Sequence, residues 1–345
     1  MARESAQPLL RARLSAQLLS GPPGRRAEEV AERLLAIQGQ DARGARLAVR
    51  ARSEGLSAAD VDRALTEERS LLITWLNRGT LHLVRSEDYP WLQAITTPQL
   101  RAQSRRRLAQ EGVSEADAER AIAEVVRSLA ADGPLDRDRL RERVGATGVR
   151  TARQALIHIL FAAALRGLIA RGPMLNGKHA YVLVRDWLGE PKPVDRDRAL
   201  AELARRYLAG HGPATERDLA RWAGIPLRDA RAGLAAISSK LDEPGDGLVD
   251  LRKRAPAAEL PPPRLLGVFE PVLLGWTSRE DILGEHDPTV VGGGIFRPLA
   301  LVRGRAVATW TLRMGEVALE PLGRISKADR AALDRDAEDV KRFLG

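Results

Sequence analysis

Three polar residues, Gln38, Gln40 and Asp41, have side-chain types and a spacing that could carry out chemistry. Two amide oxygens and a carboxylate so close in the chain can hold a water molecule and stabilise a positive charge that develops beside them. A glutamine takes up no proton at neutral pH, so this pair cannot be a general base. The site therefore suits a reaction whose leaving group departs readily. The alternative interpretation is a polar helix end, with Gly39 as the C′ residue.

A second segment of interest follows about thirty-five residues later. We predict a hairpin with strands at 71–76 and 79–84, which turns at Asn77 and its two neighbours. Arg78 in this turn is a candidate contact to a phosphate, and His82 on the second strand is a candidate wall of a pocket. The alternative interpretation is an ordinary surface hairpin.

The elements that would position these residues follow a repeated pattern. Residues 134–145 (PLDRDRLRERVG) and 213–224 (PATERDLARWAG) each follow a glycine and end at a glycine. Each copy lies between two predicted helices, which cover about 115–131 and 149–166 around the first copy, and about 197–209 and 227–238 around the second. A hairpin that turns at Asn176-Gly177 follows the first copy. Three helices followed by a hairpin are the order of a winged helix, a variant of the helix-turn-helix.

The N-terminal third fits the same order, with helical patterns at about 8–19, 26–37 and 58–68 before its hairpin. We therefore predict an α+β fold that is mainly α: three tandem winged helices, then a small β-sheet or barrel and a terminal helix. The predicted regions are winged helix 1 at 1–95, a connecting helix with winged helix 2 at 96–195, winged helix 3 at 196–260, and a β-rich cap with the final helix at 261–345.

The β-rich cap begins after Pro261-Pro262-Pro263, an extended run that is typical of a linker. Ser326-x-x-Asp329 is a capping-box pattern that opens the final helix, and the same pattern starts at Ser57, Ser114 and Thr215. The predicted strands of the cap are 264–269, 290–291, 299–302, 307–312 and 317–321.

Composition limits the class of protein. A hydrophobic content of 44% in 345 residues predicts a packed core. No apolar run is long enough to cross a bilayer, and the N-terminus carries no apolar signal core, so we expect a soluble cytoplasmic protein. The chain has no cysteine, and its five histidines are not paired at metal-ligand spacing. We therefore expect a mechanism without a metal or another cofactor.

A net charge of +9 favours a polyanionic partner. Part of this charge reflects a GC-rich genome, since only six of the basic residues are lysine. The candidate DNA contacts besides Arg78 and His82 lie in the second repeat. Arg150 and Arg153 begin its predicted third helix, and Arg171, Lys178 and His179 lie on its hairpin. The alternative for each of them is a solvated side chain.

The order of these motifs resembles the AlkZ/AlkX-type bacterial DNA glycosylases, which are built from tandem winged helices. AlkZ-type members carry glutamine–aliphatic–glutamine in the first winged helix, and Gln38-Gly39-Gln40 matches both glutamines but departs from the pattern at Gly39. The segments that also resemble the family are Trp75–Val84, His211–Thr215, Asp218-x-x-x-Trp222 and Leu265–Gly275 with Arg279. The resemblance covers nearly the whole chain. Thr277-Ser278 stands where acidic residues are more usual.

The resemblance implies a monofunctional glycosylase that hydrolyses the N-glycosidic bond of purines alkylated at N7, and that unhooks interstrand crosslinks or bulky adducts. Such a purine leaves as a neutral base from a cationic ring, so the developing sugar cation needs electrostatic stabilisation more than acid catalysis. Gln38 and Gln40 would position the water, and Asp41 would assist electrostatically. No lysine lies near the motif, so we expect no lyase activity.

Two other functions remain open at this point. A winged-helix transcription regulator would bind DNA without catalysis, but regulators usually dimerise to recognise two half-sites. Three modules in one chain fit a monomer on duplex DNA better. A protein-binding scaffold whose arginines reflect only genome composition is the third possibility, and it would show no affinity for DNA.

Overall fold

The computed structural model describes residues 2–190 and 193–345, and the fold is α+β with more helix than strand. The α-helices of the described residues are α1 (Ala2–Ala16), α2 (Ala27–Leu34), α3 (Ala42–Arg50), α4 (Ala58–Thr66), α5 (Tyr89–Thr96), α6 (Arg101–Gln110), α7 (Glu115–Asp132), α8 (Arg137–Gly145), α9 (Ala155–Leu165), α10 (Val184–Leu188), α11 (Arg196–His211), α12 (Glu216–Ala223), α13 (Leu227–Ala236), α14 (Pro271–Leu274), α15 (Glu280–Leu283), α16 (Asp287–Val290) and α17 (Lys327–Leu344).

Most of the strands form antiparallel hairpins. Those of the described residues are β1 (Ile37–Gln38), β2 (Leu71–Leu76), β3 (Thr80–Arg85), β4 (Ile169–Leu175), β5 (Lys178–Leu183), β6 (Leu241–Gly245), β7 (Leu248–Leu251), β8 (Arg264–Leu266), β9 (Val291–Gly292), β10 (Ile295–Phe296), β11 (Leu299–Val302), β12 (Arg305–Arg313) and β13 (Glu316–Pro321).

The chain divides into two compact units. Unit 1 comprises residues 1–61 and 200–345, and unit 2 comprises residues 62–199. The chain passes from one unit to the other within α4 and within α11.

Unit 1 contains a four-stranded antiparallel sheet in the order β13-β12-β11-β8. The helix α17 packs on β8, and its Leu333, Val340 and Phe343 are buried. Ser326 accepts a hydrogen bond from the backbone N–H of Asp329 (3.1 Å), which caps α17 as the sequence predicts.

Unit 2 contains strands in the order β3-β2-β4-β5. In the β2–β3 hairpin Thr74 lies opposite His82, and Ile73 of β2 lies opposite Arg171 of β4. The helix α9 is almost entirely buried and packs against β2 and β4, so it forms the centre of this core. Its composition explains the burial, because a helix that is apolar on every face has no side to offer to solvent.

The two predicted repeats have the same element order in the structure. The helices α7, α8 and α9 precede the β4–β5 hairpin, as α11, α12 and α13 precede the β6–β7 hairpin. In each copy a short bridge joins the residue that follows Gly-Pro to the second strand of the hairpin, Leu135 to Tyr181 and Ala214 to Val249. The internal repeat in the sequence is therefore a repeat of topology.

Two predicted helices need correction, and one helix was missed. The helix predicted over 26–37 ends at Leu34, because Leu35 adopts a left-handed conformation with φ +64°. The helix predicted from 149 begins at Ala155, after a turn in which Arg153 also has a positive φ of +54°. The helix α3 was not predicted, although Asp41 is a typical N-cap residue and an alanine- and arginine-rich segment follows it.

Candidate active site

The side chains of Gln38 and Gln40 contact each other directly. The Gln38 Nε2 donates a hydrogen bond of 2.6 Å to the Gln40 Oε1. Gln38 is 6% exposed, whereas Gln40 is exposed, so the pair extends from the core to the surface. Residues two apart in an extended chain point to the same side, and Gln38 is the last residue of β1. The extended backbone therefore brings the two amides together.

The backbone around this pair is not a helix end. The chain leaves α2 at Leu34, and the residue with a left-handed conformation is Leu35. Gly39 is buried and is not among the glycines with positive φ. The interpretation of Gly39 as a C′ residue is therefore wrong, since that position requires the left-handed conformation. An aliphatic residue in the middle of this motif is compatible with such a backbone.

Asp41 is the N-cap of α3. Its Oδ1 accepts a hydrogen bond of 2.5 Å from the backbone N–H of Gly44, in the first turn of the helix. This bond holds the carboxylate at the N-terminus of α3, and Gln40 is the preceding residue in the chain. Asp41 is half-buried, and it forms no ion pair within residues 2–190 and 193–345. Its negative charge is therefore available to stabilise a cation.

Two buried arginines anchor the C-terminal end of α3, and no sequence pattern indicated either of them. Arg50 is 1% exposed and pairs with Asp336 and Asp339 of α17, each at 2.9 Å. Arg52 is fully buried, forms an ion pair with Glu270, and donates a hydrogen bond of 2.8 Å to the Gln17 backbone oxygen. Buried guanidinium groups are stable only when paired and hydrogen-bonded, as these are. They fix the helix that carries Asp41.

In unit 2, Arg78 and His82 belong to the β2–β3 hairpin. Arg78 is half-buried in the turn, and His82 is 2% exposed. Burial, and to a smaller extent the Arg78 charge, lowers the pKa of His82 to about 3. The His82 Nδ1 lies 2.9 Å from the Thr80 backbone oxygen, so Nδ1 carries the proton of this neutral ring. His82 therefore offers shape and a polar edge, and not a positive charge for a phosphate.

The same hairpin contains buried polar atoms that no sequence motif indicated. The Thr74 Oγ1 and both amide atoms of Asn77 are buried, and no group of the chain that the structure describes is hydrogen-bonded to them. Buried polar atoms without a partner are uncommon in folded proteins. Sequence patterns show only that Asn77 suits a turn, since burial depends on what covers the hairpin.

The remaining DNA-contact candidates differ in their surroundings. Arg150 and Arg153 are exposed, lie in the turn before α9, and form no salt bridge in the described part of the chain. The guanidinium of Arg171 donates to the Tyr181 hydroxyl oxygen (3.1 and 2.8 Å) and lies 5.2 Å from the Trp75 ring centroid. The exposed Lys178 pairs with Asp138 at 2.8 Å, and its neighbour His179 is half-buried.

No group of three or more His, Cys, Asp or Glu side chains is arranged to hold a metal ion in residues 2–190 and 193–345. No helix in the same ranges is both long and apolar enough to cross a membrane.

Comparison with known proteins gives three concordant findings. The sequence model of one family, described as "DNA glycosylase AlkZ-like", matches residues 31–343. An "Interstrand DNA cross-link repair glycosylase" of Streptomyces sahachiroi is 28% identical over 360 residues, which cover 96% of this chain and 95% of the relative. The solved structure of the Streptomyces sahachiroi DNA glycosylase AlkZ superposes with a TM-score of 0.79 at 25% identity, and covers 98% of this chain and 96% of that one.

Proposed function

The chain belongs to the AlkZ-like family of DNA glycosylases, and on that premise we propose that it hydrolyses the N-glycosidic bond of purines alkylated at N7. As a glycosylase it is a hydrolase that acts on N-glycosyl bonds of DNA, which sets aside a regulator without catalysis. We extend the proposal to interstrand crosslinks and bulky adducts, because the relative at 28% identity is named for crosslink repair.

The observation that carries this proposal is the hydrogen-bonded pair of Gln38 and Gln40 beside the unpaired carboxylate of Asp41. Alkylation at N7 gives the purine ring a positive charge. When the C1′–N9 bond breaks, its electron pair neutralises that ring and leaves the positive charge on the sugar. The amide oxygens and Asp41 would stabilise this sugar cation and hold the water that adds to C1′.

Hydrolysis of this N-glycosidic bond requires neither a general acid nor a metal ion. The water oxygen forms the new bond to C1′, its proton passes to solvent, and the products are a neutral alkylated purine and an abasic site. None of the groups needs to protonate the leaving base, which fits amide side chains that take up no proton. We expect no β-elimination, since no lysine lies near the motif to form a Schiff base with the product.

We propose that the protein binds duplex DNA as a monomer. Three winged helices, within the regions 1–95, 96–195 and 196–260, would contact the duplex, and the region 261–345 would form a cap. The repeated topology of the second and third regions supports this division. A bulky adduct cannot rotate into a tight pocket, so an open channel suits this substrate better than base flipping. The working location would be the bacterial nucleoid in the cytoplasm.

Among the candidate contacts, Arg150 and Arg153 are best suited to phosphates, because they are exposed and unpaired. Lys178, Arg171 and His179 would present the β4–β5 hairpin to a groove. Arg78 would approach the phosphate next to the lesion, and His82 would shape the pocket beside it.

Base release from duplex DNA that contains N7-methylguanine tests the proposal. We expect release by the wild type above spontaneous depurination, and a loss of about 100-fold or more in Gln40→Ala, as for other groups that stabilise transition-state charge. The matched control is Gln103→Ala on the exposed face of α6, which should release base at the wild-type rate.

A crosslinked duplex is assayed in parallel, and strand cleavage is monitored in both assays. Equal rates for Gln40→Ala and the wild type would disprove the role of the glutamine pair. Strand cleavage by purified protein would disprove the monofunctional mechanism.

A further inference from the structure

A small cleft opens in unit 1 directly beside Asp41. Its volume is about 230 Å³, and its inner wall is formed by Leu47, Trp310 and Leu312. Asp41 and Arg43 line one rim, at the first turn of α3. A cleft of this size next to a proposed catalytic carboxylate is a candidate subsite for part of the substrate.

The cleft depends on a close approach of two backbone segments. A Cβ atom on Gly44 would lie 2.6 Å from the Val268 backbone oxygen, and one on Gly267 would lie 3.1 Å from the Gly44 Cα. Only glycine at both positions lets the start of α3 reach the segment that follows β8. Phe269, which follows the cleft residue Val268, has a positive φ of +57°, which is unusual for an aromatic residue. The chain therefore keeps an unfavourable local conformation next to the cleft.

Three arginines line the cleft: Arg43 of α3, Arg297 in the loop between β10 and β11, and Arg313 of β12. Arg297 pairs with Glu320 at 2.5 Å. The other two are exposed and have no ion-pair partner in the part of the chain that the structure describes, although the charge of Arg313 also reaches Glu320. Among the residues that the structure describes, Asp41 is the only acidic one that lines the cleft.

We propose that this cleft binds a phosphodiester of the damaged strand, next to the nucleotide that loses its base. This inference rests on the proposed function, because it requires the deoxyribose to lie at Gln38, Gln40 and Asp41. Every deoxyribose in a strand lies between two phosphates, so a sugar held there brings one phosphate to the neighbouring cleft. Arg43 and Arg313 offset the repulsion between that phosphate and Asp41.

The subsite would fix the strand while the base departs. A phosphate held by two arginines anchors the sugar at Asp41 without any contact to the base, so the site would tolerate adducts of different shape. Phosphate contacts of this kind position a strand and carry no sequence information.

The test measures binding to a duplex with a tetrahydrofuran abasic analogue, which requires no base release. The variants are Arg43→Gln and Arg313→Gln, with Arg305→Gln as the matched control. Arg305 is also exposed and unpaired in the described residues, and it lies on β12 like Arg313, but it does not line the cleft. We expect the slope of log Kobs against log salt to fall by about 0.9 in each cleft variant and to stay unchanged in the control.

A second experiment identifies which phosphate occupies the cleft. Methylphosphonate, which removes one backbone charge, replaces in turn each of the two phosphates that flank the tetrahydrofuran. At one of these positions we expect the wild type to lose about threefold or more in affinity, and the two cleft variants to lose no further affinity.

The subsite would be disproved if methylphosphonate lowered the affinity of the wild type and of the cleft variants equally at both positions. It would also be disproved if Arg305→Gln and Arg313→Gln changed the slope of log Kobs against log salt equally. Both results leave the glycosylase assay untouched. If base release depends on Gln40 but the methylphosphonate effect does not depend on Arg43 and Arg313, only the subsite is disproved. If the methylphosphonate effect does depend on these arginines but no N7-methylguanine is released, only the proposed substrate is disproved.

Discussion

The two hairpins of unit 2 share a turn signal but differ in what surrounds them. The turns begin at Asn77 and Asn176, which have nearly equal positive φ angles of +51° and +50°. All residues of β2 are buried, as are four of the six in β3. In contrast, the tip of the β4–β5 hairpin, from Leu175 to Lys178, is exposed. Similar local turn signals thus produced one hairpin that is buried almost to its turn and one that is buried at its base and exposed at its tip.

The difference shows in the polar groups. In the first hairpin Thr74 and Asn77 bury polar atoms without a partner from the described chain, and His82 is kept neutral. In the second, Arg171 is hydrogen-bonded to Tyr181 and Lys178 forms an exposed ion pair. Unpartnered buried groups lower stability, so those of Thr74 and Asn77 point to a functional requirement in the first hairpin.

The largest expected effect is at Trp75, where the two hairpins meet. Its ring contacts Phe161 edge-on (5.8 Å between centroids) and stacks on Tyr181 (6.5 Å). We expect Trp75→Ala to lower the free energy of unfolding by about 3–5 kcal/mol, since a large buried aromatic side chain is lost. Urea unfolding measures this. Trp187→Ala, at a half-buried ring beside Arg69, is the control and should lose clearly less. Equal losses would contradict a shared core at Trp75.

The next effect concerns pH. Burial lowers the pKa of His82, and that of His211 in unit 1, to about 3. The unfolded chain takes up these protons near pH 6.5 and the folded chain does not, so stability should fall as pH decreases from 6.5 toward 3. Each histidine contributes at most about 1.4 kcal/mol per pH unit.

We therefore expect His82→Gln to reduce the pH dependence of the free energy of unfolding between pH 6.5 and 4.5. The remainder would come from His211, from His158, whose pKa burial also lowers, and toward pH 4.5 from carboxylates with lowered pKa values. The test is the slope of the free energy of unfolding against pH, and not the absolute stability of the variant. An unchanged slope would mean that His82 is protonated in the folded protein.

A smaller effect is expected at Thr74, whose buried hydroxyl has no hydrogen-bond partner in the described chain. We expect Thr74→Val to raise the free energy of unfolding by about 1 kcal/mol, because an unpartnered polar atom is replaced by an apolar group of the same shape. The matched control is Thr96→Val, whose buried hydroxyl donates to the Leu92 backbone oxygen at 2.8 Å, and which should lose about 1 kcal/mol. We also expect the stabilised Thr74 variant to release base more slowly. A variant that is more stable and equally active would show that the hydroxyl has no role in the reaction.

The smallest effect is at the exposed tip of the second hairpin. Lys178→Ala should leave thermal stability unchanged, because a solvent-exposed ion pair contributes little. Its effect should appear in DNA binding, where the salt slope falls by about 0.9 if the tip touches one phosphate. Asp138→Asn, which releases Lys178 from its partner, should strengthen binding. No change in either variant would remove this hairpin from the DNA interface.

The sequence alone determined what depends on neighbours along the chain. The turns at Asn77 and Asn176 and the four caps at Ser57, Ser114, Thr215 and Ser326 follow from local hydrogen bonds. The contact between Gln38 and Gln40 depends on the extended backbone of β1, where the sequence pattern predicted a helix up to residue 37. The short strands of the C-terminal sheet were also predicted close to their observed bounds. Asp41 could have been recognised as an N-cap by the same local criteria.

Only the tertiary structure decided which arginines are buried in ion pairs and which remain exposed to bind a ligand. Arg50 and Arg43 are alike in the sequence, yet Arg50 is buried against Asp336 and Arg43 is exposed at the cleft. The partner of Arg50 lies 286 positions away, so no local pattern could reveal it. Burial and ion pairing are properties of segments that meet in space, whereas turns and caps are properties of a few consecutive residues.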